Sequence, residues 1–472
     1  MNISTDKKTI IKNSALFTLA PFLPRIINVF LLPIMTKYLT DVDFGISGTI
    51  SSYTQAIGAF STLGFTVVLM NSFYKIPLEY KKLWRQIYGF LKLWMIIYAL
   101  IQAILLYFII PEEAINNRWW IIILTNFSTV FFGPTGTIGH SYFLYKKEAF
   151  PVVWRSVLAS IITIIVDFFL IVYLRWGYMG WYVGSFAGVF FANASYWYVV
   201  NFRLNLSPDY HFSLQTIKGA LKVSIPTIPH YYTGYLLDGS GRMVLDRYHT
   251  SQGEIGRLSL TQQIGGIFNM GLNGMNQAFS PYFMQAIKDN HEGVVKKIGF
   301  IYILITFTAA FSFSIWSKEI FLFLISNDSL KSSYPFCIAY VMALCYRPMY
   351  VIASNYYFFY ENTKQLLLIT FLSGIIALVF YIILTPFIGI WGFLVGHYLA
   401  CLYFGYSGFF YNGYKNHATI KFPFVLPLII QITLTAIAFL IVNHLWPKII
   451  ISFIIFTSLT LITIKYRNEI KK

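Results

Sequence analysis

Three arginines, Arg25, Arg242 and Arg347, stand in or at the ends of long apolar stretches of this 472-residue chain. A guanidinium is always charged and can grip a planar oxyanion through paired hydrogen bonds. Arg25 lies about twelve residues from either end of its stretch, roughly 18 Å at a 1.5 Å rise per residue, beyond the reach of a snorkelling stem. Arg347 is equally central in another stretch, next to Pro348, and Arg242 accompanies Asp238 near the end of a third. A charge at such depth costs several kcal/mol unless it meets water, a carboxylate or an anionic ligand. Acids in the same stretches are few, with Asp167 and Asp238 the candidates. The set reads as a positively charged lining for an anion. No catalytic residues are indicated: paired carboxylates and an activated nucleophile are not apparent, and Glu112 and Glu113 in PEEAINNR read as a solvated loop.

Two polar stripes accompany the arginines. Ser51, Gln55, Gly58 and Thr62 follow steps of four, three and four, which keep them on one helix face. Gln262, Gly266, Asn269 and Asn273 repeat those steps 211 residues later, and Asn276 extends them. Polar side chains turned to lipid are costly, so each stripe should face protein or water. Arg25, Arg242, Arg347, Gln55, Gln262, Asn269, Asn273 and Asn276 are therefore the candidate cavity residues. Pro21 and Pro24 in one stretch, and Pro226 and Pro229 in another, remove backbone hydrogen bonds and mark candidate hinges. His230 takes the place of Arg25 in the second copy. It can titrate near neutrality, and with Asp167 and Asp238 it forms the candidate set for coupling to Na+ or H+. No other cofactor and no metal site is expected.

The elements that carry these residues are membrane helices. Hydrophobic residues are 57% of the chain and charged residues 11%, where a soluble domain carries about 25% charge. The mean hydropathy is +0.63. Apolar runs near 20 residues, enough to cross about 30 Å of hydrocarbon, recur throughout. Fourteen spans are predicted, at 13–36, 45–70, 86–110, 118–142, 150–173, 178–201, 216–241, 257–284, 298–324, 334–360, 365–386, 388–412, 423–445 and 447–465. Barrel strands would be shorter and alternating. With the amino terminus in the cytoplasm, Lys75, Lys81, Lys82 and Arg85 fall inside, as does the tail with Lys465, Arg467, Lys471 and Lys472. That is the positive-inside pattern, and it places both termini in the cytoplasm. It also accounts for the net charge of +17 without a nucleic-acid partner. Cys337, Cys345 and Cys401 all fall within spans and suggest neither disulfide nor metal cluster. The first apolar run, with proline and arginine at its middle, reads as a retained helix and not as a signal peptide.

The chain also repeats itself. Pro21, Pro24, Leu31, Leu32, Tyr38 and Gly45 return as Pro226, Pro229, Leu236, Leu237, Tyr248 and Gly256. Gly177, Gly180 and Gly184 return as Gly389, Gly392 and Gly396, each 212 residues on. Small residues at such spacing open a groove for a neighbouring helix. Six spans lie in each copy, so both copies enter from the same side of the membrane. The expected architecture is an all-α integral membrane protein of about fourteen transmembrane helices. One six-helix lobe covers 1–212 and a second 213–421, with two further helices and a basic tail in 422–472.

Taken with LLPIMTKYLTDVDFG, IPTIPHYYTGYLLDGSGRMVLDRYHTSQGEIGRLSLTQQIG and NQAFSPYF, this layout resembles the Wzx-type flippases. These belong to the multidrug/oligosaccharidyl-lipid/polysaccharide exporter superfamily. The resemblance implies translocation of an undecaprenyl-pyrophosphate-linked oligosaccharide repeat unit across the bacterial inner membrane, by alternating access of two lobes. It implies a cationic lumen, supplied here by Arg25, Arg242 and Arg347, and assembly with a polysaccharide polymerase. Gly241 departs from the acid that relatives commonly place there. The rival within the superfamily is an ion-coupled multidrug exporter, whose cavity should be acidic. A membrane enzyme acting on lipid-linked sugars would need a sizeable outer loop, and the loops between spans are short.

Overall fold

Thr40, followed by Asp43, is a capping box, and a helix starts there. The Thr40 hydroxyl accepts from the Asp43 amide, and the Asp43 carboxylate accepts from the Thr40 amide. The computed structural model describes residues 22–418 and 422–470, and no strand occurs among them. Helix α1 covers Phe22–Tyr38, α2 Asp41–Gly58, α3 Phe65–Lys75, α4 Tyr80–Ile109, α5 Arg118–Tyr145, α6 Ala149–Phe168 and α7 Tyr178–Ala194. Three short helices follow, α8 Leu214–Ser224, α9 Ile228–Gly234 and α10 Ser240–Arg247, and then the long α11, Gln252–Lys288. The longer helices that follow are α12 Glu292–Ile315, α13 Ser317–Leu324, α14 Tyr334–Leu344, α15 Arg347–Phe359, α16 Thr363–Ile388, α17 Ile390–Tyr406, α18 Val425–Ile441 and α19 Leu445–Ile470. Every predicted span is largely helical over its described residues. Among the described residues, seven helical stretches are long and apolar enough on their own to cross a bilayer. The protein is an all-α, multi-pass membrane protein.

Several predicted spans differ from continuous helices, among them the second, the seventh and the tenth. The second breaks at 59–64, between α2 and α3, where Leu63 and Gly64 take positive φ of 49° and 69°. A Cβ on Gly64 would stand 2.6 Å from the Ser224 carbonyl oxygen, so glycine is needed there for conformation and for space. The seventh is a chain of short helices. A 3-10 turn at Ile225–Thr227 contains Pro226, Pro229 lies in the first turn of α9, and a π turn at Tyr235–Gly239 precedes α10. The tenth breaks at Cys345–Tyr346, so that Arg347 and Pro348 open α15. By contrast α1 runs unbroken through Pro24 and Pro33, and α11 through Pro281.

The chain forms two compact units, Met1–Ser259 and Leu260–Lys472. In the first, an aromatic core of Phe65, Trp84, Tyr88, Tyr142 and Tyr196 joins α3, α4, α5 and the end of α7. A smaller aliphatic core of Ile46, Ile50, Leu106 and Ile121 ties α2 to α4 and α5. One face of α4 leaves Ile96, Ile97, Leu100, Ile104 and Phe108 exposed at helical spacing. Such a face suits hydrocarbon and would be a liability in water. In the second unit α14 is the innermost helix, buried without interruption from Cys337 to Leu344. Lys448 at the start of α19 is 1% exposed and bonds both Glu319 oxygens, at 2.6 and 2.8 Å.

The repeat shows itself in backbone geometry. Gly177 and Gly389 cap the starts of α7 and α17 with φ of +54° and +55°. After each cap the helix folds back on its predecessor over a glycine face. Added Cβ atoms at Gly180 and Gly184 would meet Ile171 and Asp167 of the preceding segment, while those at Gly392 and Gly396 would meet Leu384, Thr385, Phe380 and Tyr381.

Candidate functional site

The starts of α2 and α11 cross as closely as backbones allow. A Cβ on Gly45 would lie 1.8 Å from the Gln252 carbonyl oxygen, and one on Gly256 would lie 1.8 Å from that of Asp41. Gly45 and Gly256, like Asp41 and Gln252, are 211 positions apart. The contact is therefore reciprocal, as a local twofold requires. Gly48 and Ser259, also 211 apart, meet each other there: a Cβ on Gly48 would stand 2.0 Å from Ser259 Oγ. Both glycines were visible in the sequence as repeat partners; that they touch was not.

A hydrogen-bond network seals this crossing. Thr49 Oγ1 donates to Gln252 Oε1 at 2.9 Å, Gln252 Nε2 to Asp246 Oδ1 at 3.2 Å, and the Tyr53 hydroxyl to Asp246 Oδ2 at 2.8 Å. Ser52 Oγ donates to the Gly239 carbonyl at 2.7 Å. Asp246 lies beyond predicted span seven. Burial pushes its carboxyl above the usual carboxylate range, Glu113 adds to this, and Tyr53, Gln252 and His249 pull it down. With its folded-state value raised, the folded protein holds this proton more tightly than the unfolded chain. This site therefore costs stability as pH rises from the ordinary carboxylate range through the folded value. Thermal unfolding of Asp246→Asn in detergent should show a flatter dependence over that interval; identical slopes for both proteins would contradict it.

The α2 stripe borders a polar cavity in the first unit. A hollow of about 580 Å³ is lined by Gln55, Gly58, Thr62, Tyr232, Tyr235 and Asp238, among others. The structure thus brings Gln55 together with Asp238, two residues chosen on separate grounds. Gln55 Nε2 also donates to Ser51 Oγ at 2.8 Å. Arg242 lies against α2, its Cδ 3.5 Å from where a Gly48 side chain would begin.

In the second unit Arg347 meets the other stripe. Its guanidinium donates to Asn269 Oδ1 at 2.6 Å, and among the described residues no carboxylate forms an ion pair with it. Asn276 Oδ1 accepts from Ser280 Oγ at 3.0 Å, Asn273 is exposed, and Gln262 is half-buried. Asp167 sits apart, buried between α6 and α7 against Gly184, and its Oδ1 has no hydrogen-bond partner among the described residues. Pro21 lies outside the described residues, as do the side chains of Pro24, Arg25 and His230. Cys337, Cys345 and Cys401 are free and buried. No cluster of three or more metal-binding side chains occurs among the described residues.

Lys92 and Arg155, basic residues inside predicted spans, escaped the sequence reading, as did Lys448. Lys92 of α4 bonds the Phe131 carbonyl. Arg155 of α6 donates to the Pro151 carbonyl at 2.6 Å and to Ser195 Oγ at 3.1 Å, with the Trp154 and Tyr196 rings 4.4 and 4.5 Å from its guanidinium carbon. Aromatic faces offset part of the cost of burying such a cation. The only sequence hint was Trp154 beside Arg155; Tyr196 comes from the turn after α7.

The fold is shared with solved transporters. A structure of the lipid II flippase MurJ, in an inward closed conformation, aligns with a TM-score of 0.66 at 17% identity, over 92% of this chain and 99% of that one. An inward-facing multidrug resistance MATE family transporter aligns with a TM-score of 0.57 at 14% identity, over 89% and 95%. Lsg locus putative protein 1 of Haemophilus influenzae is 25% identical over 186 residues. That match spans 37% of this chain and 45% of the relative, less than half of its length. The sequence model described as polysaccharide biosynthesis protein matches residues 10–287, more than half of the chain, and the protein belongs to that family.

Proposed function

We propose that this protein is a flippase that carries an undecaprenyl-pyrophosphate-linked oligosaccharide repeat unit across the bacterial inner membrane for surface polysaccharide synthesis. The observation that carries the reading is Arg347. It is a guanidinium within a predicted span, held by a neutral amide of a polar stripe, with no carboxylate paired to it among the described residues. A cation left uncompensated at such depth suits a pyrophosphate or an acidic sugar, since Coulomb attraction strengthens as water is excluded. Arg25 and Arg242 are the further arginines proposed to bind the substrate. The polyprenyl tail stays in lipid while the head group passes along the polar stripes.

Alternating access follows from two repeated lobes, 1–212 and 213–421, with 422–472 as an appendix. The Gly45–Gly256 crossing is the shut gate on the periplasmic side. The proline-bearing first and seventh spans, at Pro21, Pro24, Pro226 and Pro229, bend as it opens. Asp167, Asp238 and His230 are the proposed groups for Na+ or H+ coupling. Both termini face the cytoplasm, and a polysaccharide polymerase is the proposed partner. No chemical step on the substrate is required. Deleting the gene should remove a surface polysaccharide and leave its lipid-linked unit accumulating inside. Normal surface glycan, with new sensitivity to cationic dyes, would instead mean drug export.

A further inference from the structure

The fourth and tenth spans are counterparts in the repeat, yet only the tenth breaks. Lys147 and Glu361, 214 positions apart, follow the two spans with positive φ of 60° and 57°, and α6 and α16 each start two residues later. The same offset pairs Pro134 with Pro348 and Gly133 with Arg347. Helix α5 runs unbroken through Pro134, whereas α14 stops at Leu344 and α15 opens at Arg347. Proline removes a backbone donor in both copies, so proline alone does not make the break.

The sequence repeat leaves the thirteenth span without a counterpart in the first copy. Its helix, α18, carries no charged residue, and its single side-chain amide, Gln431, is 0% exposed. Gln431 Nε2 donates to the Met342 carbonyl at 2.5 Å. In a continuous α-helix that carbonyl would accept from the amide of Tyr346, four residues on. Here the Tyr346 amide donates to the Ala343 carbonyl at 3.3 Å and the Cys345 amide to that of Met342 at 3.2 Å, a tightened last turn. Gln431 takes the place that the Tyr346 amide leaves. The other side of the break is tied to the same helix. The Tyr346 hydroxyl donates to Tyr398 Oη at 2.9 Å, Tyr398 Oη lies 3.0 Å from Thr435 Oγ1, and Thr435 Oγ1 donates to the Gln431 carbonyl at 2.8 Å.

We infer that Gln431 is a positioning residue for Arg347: by holding the Met342 carbonyl it keeps α14 and α15 apart and sets the direction in which the guanidinium leaves the helix. The inference rests on the flippase reading for the anionic ligand that Arg347 meets. Arg347 is half-buried and donates to Asn269 of the polar stripe. A 3-10 turn advances 120° per residue and an α turn 100°, so closing the break over Cys345 and Tyr346 would swing Arg347 by about 40°. At the end of an arginine stem that swing carries the guanidinium away from Asn269. Gln431 is not needed merely to satisfy the break, since the Met342 carbonyl already accepts from Cys345. Nor is it needed to fill space, because a leucine of similar volume would pack among the same neighbours.

The test uses the full chain in lipid nanodiscs. Binding of undecaprenyl pyrophosphate is measured beside that of undecaprenol, which lacks the anion. Gln431→Leu should weaken binding of the pyrophosphate lipid by about tenfold, the worth of one hydrogen bond to a charged group, and leave undecaprenol binding and the unfolding temperature unchanged. Thr435→Val, which cuts the tie to Tyr346, should act in the same direction, and Thr433→Val, at an exposed site on α18, should change nothing. In an Arg347→Met background Gln431→Leu should have no further effect, because it acts through the arginine. A second readout needs no ligand. Arg347→Cys is labelled with a water-soluble thiol reagent, the native Cys337, Cys345 and Cys401 being buried, and adding Gln431→Leu should slow labelling severalfold. Wild-type binding and an unchanged labelling rate in the Gln431→Leu proteins would overturn the positioning role. So would an equal loss of binding in the Arg347→Met background, which marks a general packing effect. Equal binding of the two lipids by wild type would overturn the flippase reading instead, and the labelling rate then decides the role of Gln431 by itself.

Discussion

Under the proposed flippase function, Arg347→Glu should lower export of the lipid-linked unit by about a hundredfold or more, while the amount of protein in the membrane stays near wild type. The substitution places a negative charge beside the Asn269 amide, where Arg347 now donates a 2.6 Å hydrogen bond, and repels an anionic head group in a site of low dielectric. Arg347→Lys should keep part of the activity, since an ammonium preserves charge but not the paired geometry of a guanidinium. Asn269→Asp is the more telling variant. It leaves the arginine in place and gives it the carboxylate partner it lacks, so export should fall while thermal stability holds or rises. Surface glycan on gels, lipid-linked intermediates and immunoblots of membranes read these outcomes. Full export by Arg347→Glu would remove the cationic lumen from the mechanism. Arg25→Glu should act in the same direction.

Gly45→Leu and Gly256→Val are expected to leave little folded protein. At both positions the obstacle 1.8 Å from the new Cβ is a backbone carbonyl oxygen, which cannot rotate away as a side chain can. Overpacking of a tight contact typically costs about 1–3 kcal/mol. Here two repeat-related contacts share one crossing, and the hydrogen bonds through Thr49, Tyr53, Asp246 and Gln252 depend on it. Gly58→Ala is the control. Nothing lies within 4 Å of its Cβ, and alanine favours a helix by about 1 kcal/mol over glycine. Unfolding temperature in detergent should therefore drop sharply for the first two and stay level or rise for the third. A well-folded Gly256→Val with an unchanged midpoint would show that the crossing does not hold the helices together.

The sequence reading went furthest where each residue's own preference decides its environment. Hydropathy placed fourteen spans on helices. It did not reveal that the second span breaks at Leu63 and Gly64 or the tenth before Arg347, because a short break inside an apolar run leaves the hydropathy almost unchanged. Pro226 sits in a 3-10 turn, whereas α11 continues through Pro281. Proline costs a helix one bond, and neighbouring groups can compensate for it. The face shared by Thr49 and Tyr53, one turn apart on α2, was open to inspection, as were Asp246 and Gln252. Nothing in their spacing tied the two pairs together across about 200 positions.

An apolar run must be helical in lipid because no water is there to satisfy its backbone, and this is settled residue by residue along the chain. The same holds for the repeat, since duplicated glycines, prolines and polar stripes are written in order. Which polar groups meet is a property of pairs. Asp167 in the notch over Gly184, Arg347 on Asn269, Gln55 beside Asp238 and Gln431 on the Met342 carbonyl all depend on how helices rotate and cross. Those rotations come from side-chain interlocking summed over whole helix faces, so only the assembled tertiary structure sets them.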